Sequence, residues 1–236
     1  MPLPLLLLAL CLLALPAGAE PLRVAVAANF RGTAEHLATA FEGETGSAVS
    51  ISSAATGMLY NQLRHGAPFD LFLAADVERP RRLAEEGLGI AASRRCYARG
   101  RLVLLGGDGT LGALAEPGRT VAIANATTAP YGVAAEAVLA RPPFRGVERR
   151  LLRGASVQQA WQFHASGAAS LALVARSLVT ASDHWVTVPA AWHTPIEQQA
   201  IVVAGGDEAT AGAFLAYLTG PAGQARLSED GYDPCP

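Results

Sequence analysis

Short apolar runs alternate with stretches of helical periodicity from residue 22 onward, and this alternation narrows the fold more than any other feature of the chain. Residues 22–28 (LRVAVAA), 49–53, 71–75, 102–105, 120–124, 171–175 and 200–204 read as strands. Residues 32–42, 56–65, 130–139, 156–166 and 209–218 have the spacing of helices. Most of these strands are continuous in Val, Leu and Ala, which suits strands buried on both faces of a helix-covered, mostly parallel sheet. Hydrophobic residues make up 51% of the chain and aromatic residues only 6%, so the core is expected to be aliphatic. The fold class is α/β.

Two breaks in composition divide the chain. Residues 100–112 are rich in Gly, and residues 183–195 are irregular, carrying Trp185, Pro189, Trp192 and Pro195. A chain that leaves its first domain near residue 99 and returns near 185 builds one lobe from residues 20–98 plus 185–236. Residues 99–184 then form a second, inserted lobe. Two crossings make a hinge with a cleft, and in open α/β sheets ligands bind at the carboxyl ends of the strands.

Residues 1–19 (MPLPLLLLALCLLALPAGA) are apolar, too short for a comfortable membrane span, and end in a small-x-small pattern at Ala17 and Ala19. They read as an export signal cleaved before Glu20, which places the mature protein in the periplasm. A lipid anchor on Cys11 is opposed by Leu10 in the position where a small residue is usual. All 18 basic residues are Arg and the net charge is −2, so no basic stripe offers itself to nucleic acid. Two cysteines, Cys96 and Cys235, remain after the signal; with no CxxC or HxxxH spacing around them, they are a disulfide candidate. GxSxG, HExxH, P-loop and Rossmann patterns are lacking, which argues against an exported enzyme.

Four helix starts share one peculiarity: Ala28-Asn29-Phe30, Ala55-Thr56-Gly57, Ala129-Pro130-Tyr131-Gly132 and Ala155-Ser156-Val157 are all small or neutral. Each is an ordinary capped start by itself. Together they suggest an anion site, because a helix N-terminus offers unpaired N–H groups and the positive end of the macrodipole without Lys or Arg.

The chain resembles the periplasmic molybdate-binding proteins of ABC importers over residues 22–233. The resemblance is carried by VAVAANF (24–30), LYNQLRHGAPFDLFLAAD (59–76), YARGRLVLL (97–105), APYGVAAEAVL (129–139), SLALVARSLV (170–179) and TPIEQQAIVV (194–203). It implies a two-lobed type II periplasmic-binding-protein fold, with mixed, mostly parallel sheets, a hinge and an interdomain cleft. It also implies a molybdate or tungstate ligand, no cofactor, no metal except as the oxyanion, a membrane permease and ATPase as partners, and a monomer. Asn29, Thr56, Tyr131 and Val157 are the implied oxyanion residues, with Ala28 and Ala175 beside them. Asn29 is expected to donate its side-chain amide and backbone N–H, Thr56 its hydroxyl and N–H, and Tyr131 and Val157 their N–H groups.

The chain also departs from that family. Ala54-Ala55-Thr56-Gly57 replaces a Gly-Ser-Ser-Gly turn, and Gly154-Ala155-Ser156-Val157 replaces Gly-Glu-Asn-Ile. Arg31 puts a cation two residues after Asn29, where it is either a solvated charge or a ligand-selecting one. These departures keep open a same-fold binder of sulfate, thiosulfate, phosphate or a small organic acid. Asp70 and Asp76 follow the second helix; Asp70 is expected to be structural.

Overall fold

The computed structural model describes residues 20–236, so residues 1–19, read above as an export signal, lie outside the described residues. Ten strands build two five-stranded sheets. The strands are β1 (Leu22–Ala27), β2 (Val49–Ala54), β3 (Leu71–Ala74), β4 (Arg95–Gly100), β5 (Leu102–Gly106), β6 (Thr120–Ala124), β7 (Arg150–Gly154), β8 (Leu171–Ala175), β9 (Trp185–Thr187) and β10 (Ile196–Val202). The helices are α1 (Arg31–Thr45), α2 (Thr56–Arg64), α3 (Glu78–Glu85), α4 (Pro130–Leu139), α5 (Val157–Ala165), α6 (Glu208–Thr219) and α7 (Pro221–Glu229).

The first sheet has the order β2-β1-β3-β10-β4 and the second β7-β6-β8-β5-β9. Both repeat one plan. Three neighbouring strands pair parallel, as βαβ units require, and two more are added through antiparallel pairings, so that one strand of each sheet, β10 or β5, runs against the other four. The sheets are therefore mixed.

The chain crosses from the first sheet to the second between Gly100 and Leu102. It returns later than the sequence suggests. Trp185, Val186 and Thr187 pair with Leu105, Leu104 and Val103 of β5, so these residues extend the second sheet, and the return falls between Thr187 and Ile196. A short strand whose residues are only half buried carries too little periodicity to be told from a loop.

The local chemistry explains the element boundaries. α1 buries Thr33, Ala34, Leu37, Ala38 and Phe41 at three- and four-residue spacing. It runs through Gly43 and stops at Gly46, whose φ of 73° closes the helix with its N–H on the Glu42 carbonyl. Aliphatic side chains of β5, β6 and β8 fill the second lobe, while Phe30, Phe41, Tyr97 and Phe214 give the first lobe an aromatic centre. Cys96 and Cys235 are bonded, which ties the end of the chain to β4.

Candidate functional site

The carboxyl ends of β1 and β3 and the starts of α2, α4 and α5 meet between the lobes. A single 3-10 turn, Ala28–Phe30, follows β1 and faces the same place. Together these segments wall a small cavity lined by Ala27, Ala28, Asn29, Ala55, Thr56, Ala75, Ala129, Pro130, Tyr131 and Val157. With the lobes in this arrangement the space is narrow, about 10 Å³, no more than one water molecule needs.

No carboxylate, Arg or His lines this cavity. Its polar groups are backbone N–H groups and three side chains. The N–H groups of Asn29, Thr56, Tyr131 and Val157 meet no protein acceptor among the described residues. Three of the four helix starts also lack any side-chain cap, namely the 3-10 turn, α2 and α4. Only α5 is conventionally capped, by the Ser156 hydroxyl accepting from the Gln159 N–H at 3.2 Å. Ser156 is therefore a structural cap and lies outside the cavity wall.

Thr56 is buried, and its Oγ1 accepts the Ala75 N–H at 3.1 Å. That bond fixes the hydroxyl at the cavity wall and leaves its hydrogen free to donate. The next residue shows why the helix begins on small groups. The Gly57 N–H donates across the cleft to the Thr128 carbonyl at 2.8 Å, and a Cβ at Gly57 would stand 3.0 Å from both the Cα and the O of Thr128. The lobes touch backbone to backbone there.

Asn29 differs from expectation. As its amide is assigned, Nδ2 donates to Gln198 Oε1 at 3.0 Å and to the Tyr232 hydroxyl at 3.2 Å. Both side-chain hydrogens then stay inside the first lobe, and the backbone N–H is what Asn29 offers the cavity. Ala175 is a second difference. It is buried at the end of β8, paired with Leu102, and is not among the residues lining the cavity. Its neighbour in the following turn, Ser177, reaches across to the Asn29 carbonyl at 2.8 Å.

The charged residues stand aside. Arg31 is exposed and paired with Glu35 at 2.7 Å one helical turn on, so it is a solvated surface charge. Asp70 is buried; burial opposes its ionisation, but bonds from the Arg23 side chain and N–H and from the Asp207 N–H outweigh that and hold its carboxyl below the usual range. It is structural. Asp76 pairs with Arg79, and Arg79 Nη2 donates to the Thr127 carbonyl of the other lobe at 3.2 Å. Burial raises the Tyr131 phenol well above its ordinary pKa. Among the described residues no group of His, Cys, Asp and Glu is arranged to hold a metal ion.

Sequence reasoning missed Gln198, Tyr97 and Tyr232, the buried polar side chains behind Asn29. The signal for Gln198 was present: in β10 alternate residues face inward, and Ile196, Gln198 and Ala200 share the buried face.

The arrangement has counterparts among known proteins. The chain is 40% identical to the molybdate-binding protein ModA of Azotobacter vinelandii, across 94% of this chain and 93% of that protein. It is 37% identical to the molybdate-binding protein ModA of Rhodobacter capsulatus, across 93% and 91%. Its structure superimposes on that of the A. vinelandii periplasmic molybdate-binding protein with a TM-score of 0.84 and 35% identity, covering 91% of this chain and all of that one. The sulfate-binding protein SubI of Mycobacterium tuberculosis shares the fold at a TM-score of 0.75 and 16% identity, over 91% of this chain and 87% of that one. The two-sheet, type II architecture is thus shared with both of these structures. With residues 22–233 matching the family described as bacterial extracellular solute-binding protein, this chain belongs to that family.

Proposed function

We propose that this protein captures molybdate, and equally tungstate, in the cavity between its lobes and hands it to an ABC importer. The observation that carries the reading is the cavity wall: helix-start N–H groups, a threonine hydroxyl and alkyl surface, with no carboxylate and no cation. Such a wall stabilises a fully ionised tetrahedral dianion by hydrogen bonds and by the partial positive charge of three helix ends, roughly half an elementary charge each. Names of relatives at 37% and 40% identity support the choice of anion.

Selection follows from the same wall. A protonated phosphate carries an O–H that needs an acceptor, and leaving it unmet in a dry site costs roughly 1–3 kcal/mol. Sulfate is rejected through its size, since a smaller anion stretches bonds set by backbone positions. Molybdate and tungstate are alike in size and charge and bind alike.

No bond is made or broken in this role. The anion touches both lobes, stabilises the closed state over the open one, and so presents a joined surface to the membrane permease and its ATPase. The apolar residues 1–19 support export to the periplasm. Calorimetric titration of ligand-stripped mature protein with molybdate, tungstate, sulfate and phosphate tests the proposal. Binding of the first two with sulfate and phosphate silent is the expected outcome; silence to molybdate refutes it.

A further inference from the structure

The guanidinium of Arg79 reaches from the first lobe to the second. β3 ends at Ala74, and the chain that follows, Ala75-Asp76-Val77-Glu78-Arg79, turns into α3. Asp76 holds Arg79 at both ends: its Oδ1 accepts the Arg79 N–H at 3.0 Å, and its Oδ2 accepts from Nη1. The other terminal nitrogen, Nη2, donates to the Thr127 carbonyl of the second lobe at 3.2 Å. Only 23% of the Arg79 side chain is exposed. Its tip passes over Gly57, where a Cβ would stand 3.0 Å from Nη2.

The acceptor belongs to a turn that is already built. Asn125 Oδ1 accepts the Thr127 N–H at 3.0 Å, and the Asn125 carbonyl accepts the N–H groups of Thr128 and Ala129 at 3.2 and 2.9 Å, a use of Asn common in turns. The carbonyls of Thr127 and Thr128 are left to the first lobe, where Arg79 Nη2 and the Gly57 N–H meet them. The turn runs directly into Ala129, Pro130 and Tyr131, which wall the anion cavity. On the opposite bank the wall is made by Thr56 and Ala75, the chain neighbours of Gly57 and Asp76. The Arg79 bond therefore fixes the spacing of the two banks just outside the cavity.

Arginine suits this place because its planar fork presents separate N–H donors to a carboxylate and to a carbonyl. Asp76 offsets the charge, so the contact adds no net charge beside a wall that has none. Asp76 and Arg79 lie in one lobe, and their pairing survives when the lobes part. The bond to Thr127 belongs to the closed state alone. An interaction made only after closure slows reopening rather than hastening the arrival of the anion.

We propose that Arg79, oriented by Asp76, is a positioning residue for the oxyanion: it latches the 125–128 turn against the first lobe, keeps the Tyr131 N–H at the anion, and sets how long the closed protein retains its ligand. The proposal rests on the oxyanion reading of the cavity and extends it from the choice of anion to the rate of release. Arg79 itself is not among the residues lining the cavity.

The test uses Arg79→Met, which keeps an unbranched apolar stem and removes the donors, and Arg79→Lys, which keeps the charge without the fork. Molybdate affinity is measured by calorimetry, association and dissociation rates by stopped-flow fluorescence, and the anion-free Tm by thermal unfolding. Arg79→Met should lose affinity roughly 3- to 10-fold, the worth of one part-exposed hydrogen bond, with the loss carried by faster dissociation and association held at the wild-type rate. Its anion-free Tm should move little, as for the loss of a part-exposed ion pair, and Arg79→Lys should recover only part of the affinity. Arg79→Met binding as tightly as the wild type overturns the latch. So does slower association that Arg79→Lys restores, which would mean that the charge draws the anion in, and so does a loss of affinity matched by a fall in the anion-free Tm. Wild-type protein that binds none of the four anions overturns the reading of the cavity, and the latch with it.

Discussion

Gly57→Ala should make the protein bind its anion less tightly without making the fold weaker. Gly57 is the second residue of α2, and its φ is not in the left-handed region, so alanine suits the backbone and improves helix propensity by at most about 1 kcal/mol. With the lobes apart, only the flexible end of the Arg79 side chain, from the same lobe, stands close. With the lobes together, the new methyl group stands 3.0 Å from Thr128 Cα, 3.0 Å from Thr128 O and 3.0 Å from Arg79 Nη2. Two of these atoms are backbone of the opposite lobe and cannot step aside. Backing off stretches the 2.8 Å bond from Gly57 N–H to Thr128, worth roughly 0.5–1.5 kcal/mol, and residual crowding adds about 1 kcal/mol or more. The closed state therefore loses about 2 kcal/mol, a fall in affinity of roughly 30-fold. Calorimetry against molybdate reads the loss, and thermal unfolding without anion reads the fold. Unchanged affinity, or a fall in Tm that matches the fall in affinity, refutes the reasoning.

Thr56→Ala should weaken molybdate binding and also lower stability by roughly 1–3 kcal/mol, because the buried Ala75 N–H loses its acceptor; Thr56→Ser should restore both, and a fully stable Thr56→Ala protein would contradict the assigned bond. Thiol titration of unfolded, unreduced mature protein should find no free thiol, since Cys96 and Cys235 are bonded; reduction should then cost up to about 5 kcal/mol for a link spanning 139 residues. Molybdate affinity should stay level between about pH 6 and 9, because no carboxylate or His lines the cavity and burial keeps the Tyr131 phenol neutral well past that range. A step in affinity within that window would mean that a titrating group reaches the anion.

Much of the fold was legible because its parallel strands are buried on both faces and so appear as unbroken aliphatic runs, as in β3 (LFLA) and β8 (LALVA). What escaped notice is polar or short. β4 (RCYARG) and β7 (RLLRG) carry Arg at exposed positions, and α3 (ERPRRLAE) buries only Pro80 and Leu83, too few for a periodicity to register. The helix starts at Thr56, Tyr131 and Val157 were legible from small residues before aliphatic helices, and the structure brings all three to one cavity. Ala175 was carried by resemblance alone. The second row of the site, Gln198 with Tyr97 and Tyr232, is assembled from positions more than 30 residues apart in the chain. No local pattern announces a meeting of that kind.

Direct bonds already join the lobes: Gly57 to Thr128, Arg79 to Thr127 and Ser177 to Asn29. Each contributes roughly 0.5–1.5 kcal/mol, and more where charge is involved, so closure is partly stabilised by the protein itself. An anion held by free N–H groups from both lobes adds its bonds to these. This division of labour suits a neutral site. Cations in the cleft would hold any anion strongly, but they would also repel one another and keep the lobes apart when it left. Helix ends and a threonine hydroxyl carry no net charge, so the same wall closes on a dianion and opens after releasing it, with selectivity left to geometry and to the absence of an acceptor.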